Sequence, residues 1–294
     1  LKNSIFGAEA LKAAARHDPS LNWYAIADSA QHRALPRTLV KQGHPVRCLF
    51  DVSENSPVAA CAPHLVELDS PLKDCASWSW ISLHGKARSC VSVIAAHISF
   101  EAMFSHLIQF MEVRLPDGDD MFFAFWDSAI LGTLIGQSDD LTLHVKGPVL
   151  TPVQRNALMS PISQWWYWDR TGELHVAAEE KLDCPRALLP LRLSQSQIDN
   201  LVEATVPDHI LYYLELNQPM LVDHVAPSLR YEFVQRALLR ARDIGLLSMG
   251  DLVNYVCLEL IYRDRLYQDE IIIDLLGDVK NGKATFLEVI EKMP

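Results

Sequence analysis

No stretch of this 294-residue chain approaches the run of about 18 apolar residues that a membrane-spanning helix needs. Glycine is scarce, with 12 in all. Neither G-x-x-x-x-G-K-[S/T] nor G-x-G-x-x-G occurs, so a loop that cradles phosphate is unsupported. A G-x-S-x-G elbow for a nucleophilic serine is also missing. The six cysteines, Cys48, Cys61, Cys75, Cys90, Cys184 and Cys257, form no C-x-x-C pair. Scattered thiols without an export signal point to a reducing compartment. The opening Leu1-Lys2-Asn3-Ser4 lacks the basic-then-apolar pattern of a signal peptide. The expected location is therefore cytoplasmic.

Positive charge is also in deficit. There are 26 Lys and Arg against 37 Asp and Glu, a formal charge of −11. Non-specific nucleic-acid binding needs a basic footprint, and an anionic membrane surface repels such a chain. The deficit is uneven. Residues 1–194 hold 17 basic and 21 acidic side chains; residues 195–294 hold 9 and 16, a net of −7.

The apolar content is 49%, and a chain of about 300 residues can bury roughly three quarters of its unfolded surface without a metal or disulfide staple. Residues 5–16 are rich in Ala and Leu, which favours a helix. Short apolar runs at 22–28, 46–50 and 64–69 read as strands. Helices are expected at 33–42 and 71–79, and strands at 81–85 and 91–94. Phe100, Met103, Phe104, Leu107 and Met111 recur at helical spacing. Pro116-Asp117-Gly118 sets a hairpin between strands 111–115 and 121–126. A helix at 128–135 and a second hairpin at 162–177 follow. Beyond Cys184 the pattern is helical only, beginning at a Ser194-to-Gln197 capping box. The expected architecture is α+β: an α/β lobe with a mixed sheet (1–184), a linker (185–194) and an all-helical lobe (195–294).

Chemistry is thin. His44, Cys48, Cys61 and His64 are residue types that zinc accepts, but Cys48 lies in an apolar strand and the spacing matches no finger. No metal or cofactor is expected. Ser82 with His84, and Cys90 with His97, are neighbours only in sequence, whereas a catalytic pair is defined in space. No catalytic residue is assigned. Asp117, Asp119 and Asp120 lack the rest of a calcium loop and read as a solvated hairpin tip. Asp28 and Asp127 each follow an apolar strand and are read as structural helix-capping carboxylates. The competing reading is a hydrolase or transferase using Asp28 or Asp127 with a nearby histidine. In the run Trp165-Trp166-Tyr167-Trp168, alternation sends Trp165 and Tyr167 one way and Trp166 and Trp168 the other. One pair fills a core. The other must be covered, by the second lobe or by a partner protein, which makes these four the candidate partner-binding residues.

The order of several segments is specific. Tyr24-Ala25-Ile26-Ala27-Asp28 comes first, then Cys48-Leu49-Phe50-Asp51 and Ala62-Pro63-His64-Leu65-Val66-Glu67-Leu68. His106-Leu107, Val113-Arg114-Leu115-Pro116-Asp117-Gly118 and Phe123-Ala124-Phe125-Trp126-Asp127 follow. A helical tail holds Phe233-Val234, Ala241 and Gly245-Leu246. This succession resembles the effector adaptor chaperones of bacterial type VI secretion (Tap- or TEC-like proteins), formerly grouped as a domain of unknown function. It is closest over 22–135. Members of that family often read F-R-F-Y-D-P-R where this chain has Phe123 to Ala129, so the arginines and proline are absent and their roles do not carry over.

The resemblance implies a non-enzymatic cargo loader. Such a protein holds a toxic effector near its N-terminal region and brings it to the C-terminal region of the spike protein VgrG, without nucleic acid, membrane or cofactor. If the acidic helical lobe is the partner surface, the partner segment carries a complementary basic face. Association between the two then weakens as salt rises; an affinity unchanged between low and high ionic strength would contradict this.

Overall fold

A computed structural model describes residues 2–32, 35, 45–53, 56–73, 75–88, 90–178 and 187–294. The helix expected at 33–42, His44 and Cys184 lie outside the described residues, apart from residue 35. The chain divides into two compact units, Leu1–Ala204 and Thr205–Pro294.

The first unit is organised by a six-stranded sheet, in the order β2 (Val46–Cys48), β3 (Pro63–Leu68), β1 (Asn22–Asp28), β4 (Val91–Ala96), β7 (Gln164–Trp168) and β8 (Leu174–Ala178). Every neighbouring pair in it is antiparallel. A parallel pairing occurs instead in a small second sheet, where β5 (Glu112–Arg114) joins β9 (Leu191–Arg192) on one side and antiparallel β6 (Asp120–Phe122) on the other. Residues 191–192, expected in a linker, are thus built into the first unit.

The inner strands β3, β1, β4 and β7 are buried on both faces, so they read as largely continuous apolar runs, whereas the edge strand β8 alternates buried and exposed residues. On one face Tyr24, Ile26, Leu65, Ile94, Trp165 and Tyr167 pack with α3 (Phe100–Leu107), α4 (Ser128–Ile135) and α5 (Pro152–Met159). On the other, Trp23, Ala25, Val66, Val93, Trp166 and Trp168 pack with Leu11 and Ala15 of α1 (Lys2–His17) and with Trp78 and Ile81 of α2 (Ala76–Arg88). Trp23 stacks on Trp166 with ring centroids 5.3 Å apart and meets Trp78 edge-on at 5.9 Å.

Two local expectations fail for physical reasons. Residues 81–85 are helical within α2. Trp78, Ile81 and Gly85 share a helix face at three- and four-residue spacing. A Cβ on Gly85 would lie 3.0 Å from Val91 and 3.2 Å from the Trp168 ring, so this helix approaches the sheet closely enough that a larger residue would push those side chains aside by a few tenths of an ångström. The second hairpin strand ends at Phe122, not at 126. Phe123 and Phe125 leave the ladder to fill the core of the first unit, and the amide of Phe125 donates to the Phe123 carbonyl at 2.8 Å.

The second unit is all helix: the later turns of α6 (Gln195–Asn217), then α7 (Pro219–Val222), α8 (Arg230–Asp243), α9 (Met249–Tyr262), α10 (Arg265–Gln268), α11 (Glu270–Lys280) and α12 (Phe286–Ile290). At the start of α6, Ser194 and Gln197 exchange amide and side-chain bonds of 2.9 and 3.4 Å, the reciprocal box that satisfies free N–H groups. Val234, Ala237, Leu238 and Ala241 of α8 face Leu252, Val256 and Leu260 of α9 within one apolar core. The mixed-sheet region followed by a helical region is an α+β architecture. No described helix is long and apolar enough to cross a membrane.

Packing around α4 offers a direct check. A Cβ on Gly132 would overlap the Tyr167 hydroxyl and lie 3.1 Å from Leu143. Gly132→Ala is expected to cost about 1–3 kcal/mol by overpacking. Gly277→Ala on α11, with nothing within 4 Å, is expected to be neutral or to stabilise by up to about 1 kcal/mol. Urea unfolding of both variants measures the contrast.

Candidate functional site

Trp165, Trp166, Tyr167 and Trp168 are all buried, the most exposed at 5%. The pair that needed a cover has one in α1 and α2 of the same unit. Trp165 also donates its indole N–H to the Ser92 hydroxyl at 2.9 Å. The run is an internal seam between two layers, and the partner-surface reading of it is corrected.

Asp127 is the N-cap of α4 and accepts from the Ala129 amide at 2.9 Å. Asp28 holds a turn rather than a described helix start. It accepts from the Ala30 amide at 2.8 Å and from the Trp126 indole at 3.3 Å. Burial pushes the Asp28 carboxyl above its ordinary value, while these donors pull against the shift. The neighbouring Ser29 hydroxyl lies 3.2 Å from Nδ1 of His64, but that same nitrogen is 2.9 Å from the Ala62 carbonyl. A carbonyl can only accept, so Nδ1 carries the proton there and cannot act as a base toward Ser29. In the zinc-type set, Cys48 and His64 are register partners across β2 and β3, yet Cys61 is exposed.

The densest polar cluster is elsewhere, at the β7–β8 hairpin. Asp140, Asp169 and His175 each offer a ligand-type atom within 4.8 Å of the others, and all three are buried. The geometry fits an ion-paired clamp. The two ring nitrogens of His175 lie 3.1 Å from Asp139 and 3.1 Å from Asp169. Asp169 also takes the amides of Thr171 and Glu173 at 2.8 and 2.9 Å. Asp140 takes the Tyr167 hydroxyl at 3.0 Å and the Thr142 amide at 2.9 Å. Burial alone would lower the His175 pKa, but hydrogen bonds to Asp169 and Asp139 and the charge of Asp140 raise it to about 9. At neutral pH both ring nitrogens therefore donate to carboxylates, and a metal could enter only by displacing a proton from the ring. The sequence signal was present in Asp169-Arg170-Thr171-Gly172-Glu173, an Asx-type turn, with His175 at an inward strand position.

The helical unit differs in its surface. Of the 23 exposed large apolar residues described, 13 lie in residues 205–294, so under a third of the chain carries more than half of them. Tyr212, Tyr213 and Leu216 stand on the last turns of α6, and Met220 follows on α7 at 80% exposure. Between α8, the end of α9 and α10 lies a groove of about 260 Å³ lined in part by Arg236, Arg240 and Arg263. In a unit of negative net charge, that local basic concentration is hidden by a charge summed over the whole lobe.

Residues 23–145 match the family model of a domain of unknown function, DUF4123. The match runs from β1 through Asp139 and Asp140 and stops before β7; it includes none of the helical unit. No curated protein and no solved structure matches the chain.

The clamp has a pH signature. The folded pKa of His175, about 9, lies above the ordinary histidine value of about 6.5. Its contribution is therefore fully present below about pH 6.5 and is lost as pH rises through about 9. His175→Gln should cost about 3–5 kcal/mol near pH 7, as removal of one partner from a buried ion pair does. The gap to wild type should shrink by pH 10. A gap constant across that range in denaturant unfolding would argue against the charged clamp.

Proposed function

We propose that this chain is a non-enzymatic adaptor of type VI secretion. It holds a toxic effector by the effector's N-terminal region in the cytoplasm of the producing cell and brings it to the C-terminal region of the spike protein VgrG. The matched family, over residues 23–145, is one associated with type VI secretion effector adaptors.

The observation that carries the reading is the apolar surface of the helical unit. A solvated helical bundle gains nothing from Met220 at 80%, Leu247 at 76% or Tyr212 at 69% exposure, and a partner chain that covered such side chains would gain their burial. Tyr212 and Leu216 are four residues apart on α6, so they share a face that can take an apolar stripe of another chain. The carboxylates weighed for catalysis and the buried histidine of the hairpin have structural partners, which favours the non-enzymatic reading. Asp127 caps a helix, Asp28 holds a turn and His175 sits between two carboxylates.

Co-expression with candidate type VI toxins of the same genome, and separately with the spike protein, tests the reading. A co-purifying toxin complex is expected, with toxin that aggregates when the adaptor is left out. Failure to bind both partners would exclude the proposal. Within a complex, Leu216→Ser combined with Met220→Ser is expected to weaken toxin binding by about 1–2 kcal/mol, the scale of an interface hot spot. Because both side chains are already exposed, the thermal unfolding midpoint should stay unchanged.

A further inference from the structure

The groove between α8, the end of α9 and α10 has a chemistry of its own. Arg236 and Arg240 sit four residues apart on α8, and Arg263 enters from the turn after α9. The walls include Phe233 and Tyr267, and the Arg240 guanidinium lies 4.7 Å from the centroid of the Tyr267 ring.

The charges in the groove do not cancel. Glu259 is 5% exposed and is committed to Nη1 of Arg240, at 3.1 and 3.2 Å, and to the Tyr267 hydroxyl. That commitment fixes Arg240 while leaving its Nε and Nη2 without a partner among the described residues. Arg236 has a loose pairing, 3.8 Å to Glu232, with both side chains more than half exposed, and such a pairing contributes little. Arg263 makes no ion pair or side-chain hydrogen bond to any described residue. It is held at φ +50°, ψ −129°, a conformation that disfavours any residue with a Cβ and concentrates at functional positions. The remaining carboxylate of the groove, Asp264, cannot offset both Arg236 and Arg263.

We propose that this groove seats a carboxylate side chain of the partner polypeptide, with an apolar neighbour of that residue resting on Phe233 and Tyr267. Guanidinium suits this task because its planar fork meets a carboxylate with two parallel hydrogen bonds. The proposal rests on the adaptor reading above and adds to it the chemistry of one anchoring residue. It also refines the charge expectation: the acidic helical unit has a basic recess, so a partner with a basic face would still present one acidic residue here.

The test uses residues 1–294 and a toxin that co-purifies with them, with affinity measured by calorimetry. Arg236→Glu with Arg263→Glu is expected to weaken binding at least roughly tenfold, as truncating or reversing desolvated charge partners does. Arg263→Lys should lose only part of it, and Lys292→Glu, elsewhere on the same unit, should bind as wild type does. Arg240 is left intact because it holds Glu259. An unchanged thermal midpoint in the double variant excludes unfolding as the cause. If wild type binds and the double variant binds equally well, the groove proposal is overturned and the adaptor reading stands. If wild type does not bind the toxin at all, the adaptor reading itself fails. Displacement of the toxin by inorganic phosphate, but not by chloride at matched ionic strength, would reassign the groove to a phosphate ligand and also overturn the proposal.

Discussion

The structure of the first unit depends on burying an aromatic strand from both sides. β7 sets Trp165 and Tyr167 against one helical layer and Trp166 and Trp168 against the other. Each aromatic side chain buries on the order of 150–250 Å², so neither layer can be removed without exposing a large apolar surface. The neighbouring strands follow the same rule. β4 sends Ile94 one way and Val93 the other, and β1 does so with Tyr24 and Trp23. The polar clamp of His175, Asp169 and Asp139 closes the hairpin that carries this strand. Tyr167 ties it to Asp140 through its hydroxyl. An apolar seam with one satisfied polar end favours a single register, because a slip of one residue would exchange the two faces.

This constraint separates scaffold from surface. In the first unit, side chains that look available for chemistry are spent on the fold: Asp127 on a helix start, Asp28 on a turn, His175 on a hairpin. The helical unit keeps its own core, with Ile210, Leu214, Leu238 and Val256 fully buried, and still exposes aromatic and aliphatic side chains around it. In the proposed adaptor, the arginines of α8 and of the turn before α10 would supply direction to a surface whose apolar residues alone would be indiscriminate.

Much of this was legible in the residues. The strands around 22–28, 64–69 and 91–94, the helix capped by Ser99, and the hairpin at 162–177 follow from period and turn chemistry. The misreadings have identifiable causes. Residues 81–85 resemble a strand in composition, and only the spacing of Trp78, Ile81 and Gly85 reveals the helix. Phe123 and Phe125 alternate as a strand does, but their period reflects core filling after the ladder has ended. Half of the clamp is legible in the Asp169 turn and the inward His175, but Asp139 and Asp140 come from a separate segment that only the fold brings to it. The fate of the Trp165 to Trp168 run was undecidable from alternation, since alternation says which residues share a face and not what covers it. The arginine groove likewise needed the pairing of α8 with the α9–α10 turn.

The central claim is that the partner is held by the helical unit while the aromatic sheet is internal scaffold. Hydrogen–deuterium exchange of residues 1–294, free and in complex with a co-purifying toxin, tests it most directly. New protection should map to the last turns of α6 and to α8 through α10, with β7 and β8 already slow to exchange in the free chain. Toxin-induced protection confined to β7, β8 or the α1 and α2 layer, with the helical unit unchanged, would contradict the account.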